Sequence, residues 1–158
     1  MPALFIMQIP TAQDINPFDD LDGRAACKNF LGKSLEDAEA FFRENSLHYQ
    51  EDLMWMGPTA FRYYVLAVIR YVRSEAAMND SDIFSCLVSI LEFRLECESA
   101  ELVPIAGELA SLLGHMNDHY KKFEPMPDIV PEIDGDVRAR VEKLRQIFLT
   151  LERTSSPL

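Results

Sequence analysis

From Ser34 onward the apolar positions of this chain recur every three or four residues, the spacing that lines side chains along one edge of an α-helix. Ser34 opens the first such stretch: its hydroxyl can cap free backbone N–H groups, and Glu36, Asp37 and Glu39 suit the positive end of a helix dipole. Leu35, Ala38, Phe41 and Phe42 form its apolar stripe, and the helix is expected to end near Asn45. A shorter piece, Leu47 to Met56, places Tyr49, Leu53 and Met56 on one face before Gly57-Pro58 interrupts it. Pro58 suits the first turn of a helix over 58–77, where its missing N–H does no harm. Phe61, Tyr64, Val65, Val68 and Val72 line that helix while Leu66, Ala67 and Ile69 widen the arc, so it is expected at the centre of the fold.

Asn79 to Ser81 supplies a turn and a cap, and the helix that follows over 82–97 is apolar through Ile83, Leu87, Ile90 and Leu91. The cleanest stripe runs from Leu102 through Leu109, Leu112, Leu113 and Met116 to Phe123, with Pro104 marking a first turn or a kink. Pro125, Pro127 and Pro131 predict an extended connector between Glu124 and Gly135. Val137, Val141, Leu144, Phe148 and Leu151 then define a last helix. No alternating pattern argues for a sheet. The chain therefore reads as an all-α, single-domain bundle of five or six helices: an irregular N-terminal arm over 1–32, a helical core over 33–153 and a frayed tail over 154–158.

The arm carries Pro2, Pro10, Pro17, Gly23 and Gly32 with an acidic cluster at Asp14, Asp19, Asp20 and Asp22. Leu4, Phe5, Ile6 and Ile9 would be costly to leave in water, so the arm is expected to lie against the domain. Its apolar start lacks the basic residue and small-residue cleavage site of a signal peptide, and the run Tyr63–Ile69 is far below the roughly 20 residues of a membrane helix. A cytoplasmic location and no membrane association are the expectations.

Composition narrows the partners more than the chemistry. The 158 residues hold 15 basic and 26 acidic side chains, a net charge of −11, with no dense basic run. Binding to nucleic acid is disfavoured, and a basic protein or peptide is compatible with the charge, although solubility alone is the commoner reason for an acidic surface. Cys27, Cys86 and Cys97 have neither disulfide-framework nor zinc spacing and are read as reduced core fillers. With 6 glycines and no phosphate loop or nucleophile elbow, no cofactor is implied.

Four features carry candidate chemistry. His115 and His119 stand at i and i+4 with Asp118 between them, the spacing that lets two imidazoles meet one metal ion, although a solvated helix face explains them as well. Two acidic-glycine stretches, DDLDG at 19–23 and EIDGD at 132–136, fail as calcium loops, because the first and twelfth ligand positions fall on Phe18 and Asn29 or on Val130 and Val141. His48, Glu51 and Asp52 read as an exposed charged turn. The fourth is EDLMWMGPTAFRYYV over 51–65, which joins the sole tryptophan to methionines, aromatics and an arginine, the types enriched at binding hot spots. Trp55, Arg62, Tyr63 and Tyr71 are the candidate recognition surface. The alternative reading places Trp55, Phe61 and Tyr64 in the core and pairs Arg62 with a carboxylate.

The stretch DLMWMGPTAFRYYVLAVIRYV resembles one in a family of small uncharacterised bacterial helical proteins, where a hydrophobic turn, a proline and then A-F-R-Y-Y open a central helix. The likeness covers residues 33–73. It implies a helical fold and supplies no catalytic residues. The resulting expectation is a non-enzymatic, acidic interaction protein, adaptor-like or immunity-like, whose carboxylates steer a basic partner. The competing expectation is a small metal-dependent hydrolase built on His115, Asp118 and His119. Self-association as a homo-oligomer through leftover apolar faces is compatible with either.

Overall fold

In the computed structural model, which describes residues 8–124 and 131–155, Ser34 caps a helix as its position predicts. Its hydroxyl accepts the Asp37 N–H at 3.1 Å while the Asp37 carboxylate accepts the Ser34 N–H at 3.0 Å. This reciprocal pair satisfies two of the N–H groups a helix start leaves unpaired. The helix it opens, here α3 (Leu35–Trp55), absorbs both stretches that the sequence separates. Asn45 leaves helical geometry at φ −159°, ψ 82°, and its side-chain oxygen accepts the His48 N–H at 3.1 Å, so the expected boundary survives as a kink with its own cap.

Pro58 begins α4 (Pro58–Arg73), and a short 3-10 turn, Glu75–Ala77, completes the stretch expected as one helix. Burial of Phe61, Tyr63, Tyr64, Val65, Val68, Tyr71 and Val72 covers most of its circumference. Its centrality follows, because α4 touches α3, α5 (Ser81–Leu102) and α6 (Ala106–Asp118) at once. Each large apolar side chain so withdrawn contributes about 2 kcal/mol before the entropy of ordering is set against it. Helix α5 runs past its expected end, breaking at Glu98 (φ −156°, ψ 47°) and continuing to Leu102. Pro104 sits in a 3-10 turn, Val103–Ile105, ahead of α6, and the rest of that stripe forms the single turn α7 (Tyr120–Phe123). The last helix, α8 (Pro131–Ser155), lies along α6 and buries Val141, Leu144 and Phe148. It starts at Pro131, earlier than expected, since a proline is acceptable as a first helical residue. The rest of the expected connector, residues 125–130, lies outside the described residues.

The fold is all-α, with one hydrophobic cluster shared by the helices and no strand among the described residues. The N-terminal arm is more regular than expected. Two helices occupy it, α1 (Ala12–Ile15) and α2 (Leu21–Phe30). Two of the acidic residues that looked like loop serve as caps: Asp14 forms a capping box with Thr11, and Asp20 accepts the Gly23 N–H at 2.7 Å. Such short helices carry too few apolar positions to show a period. The arm does lie on the domain, as expected, through buried Ile15, Ala26 and Phe30. Leu4, Phe5 and Ile6 lie outside the described residues, and Ile9 is exposed. The Tyr64 hydroxyl locks α2 to α4, sharing its proton between the carbonyls of Phe30 at 2.7 Å and Lys33 at 2.9 Å.

All three cysteines are free, but the core-filler reading fails at Cys97, which is exposed beside the break in α5 at Glu98. No helix among the described residues is long and apolar enough to cross a membrane.

Candidate functional site

Helix α3 ends on the segment that the sequence singled out, and a buried arginine from α5 decides how it ends. Arg94, 3% exposed, turns its guanidinium to the carbonyl oxygens of Leu53 at 2.7 Å, Met54 at 3.4 Å and Met56. These are carbonyls that a helix C-terminus leaves without intrahelical donors. The guanidinium also lies 4.2 Å from the Phe61 ring centroid and pairs with Glu98 one turn along α5. Burial pulls its pKa down and the Glu98 carboxylate pushes it back up, so the ion pair holds a charged donor inside the protein.

With its C-terminus pinned in this way, α3 presents Trp55 to solvent. The indole is 43% exposed and meets the Phe93 ring edge-on, 5.6 Å between centroids. Exposed Glu51 lies one turn before Trp55 on α3, and exposed Glu96 lies three residues after Phe93 on α5. The four residues make an aromatic pair between two carboxylates on adjoining helices. Such a surface can accept a cation over the indole and pair it with the flanking charges. The sequence reading missed Phe93. The signal was available: Phe93 shares its helix face with Ser89, Glu96 and Ala100, all exposed, so it is an aromatic on a polar strip rather than part of the Ile83–Leu87–Ile90–Leu91 stripe.

The other expected members of the recognition surface do not join it. Tyr71 is buried because its hydroxyl donates to the Asp80 carboxylate at 2.6 Å; Ser46 donates to the same oxygen. Burial and the Asp80 charge both raise the Tyr71 pKa, which keeps the phenol protonated and donating. Asp80 also accepts the Ile83 N–H at 3.0 Å, so one carboxylate caps α5 and gathers a hydroxyl from each of α3 and α4. Tyr63 packs edge-on against Tyr64 and is also buried. Arg62 pairs with Glu101 and donates to its carbonyl at 3.1 Å, as the alternative reading anticipated. Phe61 and Tyr64 are core residues by the same alternative, whereas Trp55 is not.

Of the charged turn at His48, Glu51 and Asp52, the structure moves one residue inward. Asp52 is 8% exposed and accepts a hydrogen bond from the Asn29 amide at 2.7 Å. Burial raises its pKa; the Asn29 bond and His48 oppose the shift. The native state therefore keeps this proton to a higher pH than the unfolded chain does, and stability falls as pH rises through the elevated value. An Asp52→Asn variant, which still accepts from Asn29, is expected to lose that slope and to equal or exceed the parent in stability at neutral pH. Urea midpoints of both proteins across the weakly acidic range measure it. A slope unchanged by the substitution would place the dependence elsewhere.

His115 and His119 do meet, with ring centroids 4.5 Å apart, and the solvated-face reading holds for His119 but not for His115. His115 is half-buried, and its Nε2 has no partner. Burial lowers its pKa, as do His119, Arg73 and Lys122, while Asp118 works against them. His119 ends α6, its N–H returning to the His115 carbonyl at 2.9 Å, and Asp118 is exposed. Among the described residues no group of three or more His, Cys, Asp or Glu side chains is placed to hold a metal ion. Beside His119 opens a cleft of about 490 Å³ between α7 and the part of α8 around Arg138. Neither a protein-family model, nor a curated protein, nor a solved structure matches this chain.

Proposed function

We propose that this protein is a non-enzymatic interaction module, adaptor-like or immunity-like, whose Trp55–Phe93 surface receives a basic segment of a protein partner. The observation that carries the reading is the exposed indole of Trp55, held against Phe93 by the Arg94 anchorage of α3. Covering such a ring in an interface removes a large apolar area from water, and tryptophan is among the residues that dominate binding energy. Glu51 and Glu96 supply the local charge, and the net −11 of the chain steers a cationic partner from a distance.

Because the chain holds 1 tryptophan, its intrinsic emission reports this surface alone. Titration with a synthetic peptide alternating arginine and leucine is expected to shift that emission to the blue at low salt. Binding should weaken steeply as salt shortens the reach of the carboxylates. A Glu51→Gln, Glu96→Gln double variant should bind about tenfold more weakly, the equivalent of about 1.4 kcal/mol. Emission indifferent to the peptide, or binding unaffected by salt and by loss of both carboxylates, would refute the reading.

A further inference from the structure

Lys and Arg are in the minority in this chain, 15 against 26, yet Lys121, Lys122 and Arg138 line one cleft beside α7 together with His119. Two of them are held in place. The Arg138 guanidinium lies 4.9 Å from the Tyr120 ring centroid and donates to the Asn117 carbonyl at 3.4 Å. The Lys122 ammonium donates to the Val72 carbonyl at 2.8 Å, at the end of α4. A guanidinium has five N–H donors and an ammonium three, so each keeps donors beyond these bonds. No ion pair joins Lys121, Lys122 or Arg138 to a carboxylate among residues 8–124 and 137–154.

We propose that this cleft binds a small oxyanion, a phosphoryl or carboxyl group held by Lys121, Lys122 and Arg138 with His119 at its edge. Lys122 and Arg138 are preset by contacts that bind no ligand, so of the three cations only the exposed Lys121 has its side chain left to order when an anion arrives. Asp118 and Glu124 on the same rim limit the charge the cleft tolerates and favour one compact group over a polyanion. His115, behind His119, reports occupancy: its surroundings hold the proton off, and an anion beside His119 relieves that repulsion. The site is separate from the Trp55 surface and does not rest on it.

The chain has 3 histidines, and His48 on α3 serves as an internal control. Inorganic phosphate, added at constant ionic strength, is expected to displace the imidazole resonances of His119 and His115 saturably and leave His48 in place. A dissociation constant on the order of 1–10 mM is expected, together with an upward-moving His115 titration. A Lys121→Ala, Arg138→Gln double variant, its fold checked by circular dichroism, should weaken the response about tenfold or more. Acetate is the parallel probe: a saturable response to either anion supports the proposal, and the tighter of the two names the group. No saturable displacement by either up to about 50 mM, an equal effect of chloride, or a response retained in the double variant would overturn it.

Discussion

Replacing Arg94 with methionine is expected to cost about 3–5 kcal/mol of stability, the loss typical of breaking a buried charged network. Methionine has the length and the apolar character to fill the space, so packing is not the main loss. The carbonyls of Leu53 and Met56 would be left buried at the end of α3 with no donor, and Glu98 would lose its counter-charge. Leaving a buried acceptor unpaired costs about 1–3 kcal/mol, which is why the apolar exchange cannot be neutral at this position. Lysine should recover only part of the loss, since one ammonium cannot spread its donors as a planar fork does. Urea denaturation followed by circular dichroism measures the change. Trp55 emission in the folded variant adds a local readout, expected to shift to the red as the last turn of α3 frays. A methionine variant as stable as the parent would mean that the three carbonyls find other donors.

The second large effect is expected at Gly57, and there the cause is space. Its φ of −60° suits any residue, so alanine would be welcome on conformational grounds. A Cβ at this position, however, would stand 2.3 Å from the Asp14 carbonyl oxygen and 2.9 Å from Pro17 Cδ. Neither neighbour is the end of a flexible side chain. Gly57→Ala should therefore lift α1 off the start of α4, break the Gly57 N–H bond to the Ile15 carbonyl and uncover Ile15. Overpacking of this kind costs about 1–3 kcal/mol, and the lost bond and the uncovered side chain put this case at the upper end. Amide exchange should quicken selectively in α1. Gly114→Ala is the control: its nearest neighbour is Arg145 Nε at 3.4 Å, an ordinary contact with a flexible side chain, and little change is expected. Equal stability of the two variants would mean that the arm carries no weight in the fold.

The helices that read clearly from the chain are those whose information is local. Ser34 with Asp37, Pro58 after Gly57, and the stripes through α4, α5 and α6 need nothing beyond a period and a cap, and each forms a helix, although α5 runs past its expected end and the α6 stripe divides before α7. What stayed hidden depended on a second segment. Arg94 sits in the sequence like any charged residue between apolar ones, and its burial follows from carbonyls about 40 positions earlier that only folding brings near. Tyr71 resembled an exposed aromatic until the Asp80 carboxylate supplied a partner for its hydroxyl. Asp52 moved inward because Asn29, from a helix not anticipated, offers it a donor.

The candidate site divides along the same line. Trp55 was legible as an unusual residue, but its exposure depends on how Arg94 fastens the helix end, and Phe93 comes from the neighbouring helix. Likewise the i, i+4 spacing correctly brought His115 and His119 together. The lysines beyond them become part of a cleft only when α8 delivers Arg138.

Several of the fastening bonds of this bundle tie a later segment to an earlier one. Tyr64 reaches back 34 and 31 residues, Arg94 reaches back 41 to Leu53, and Lys122 reaches back 50 to Val72. Among the described side-chain bonds the widest, Arg140 to Ser89, spans 51. Each of α4, α5 and α7 is thus fastened to a segment made before it, and the arm, α3 and α5 can gather around α4 before α8 is complete.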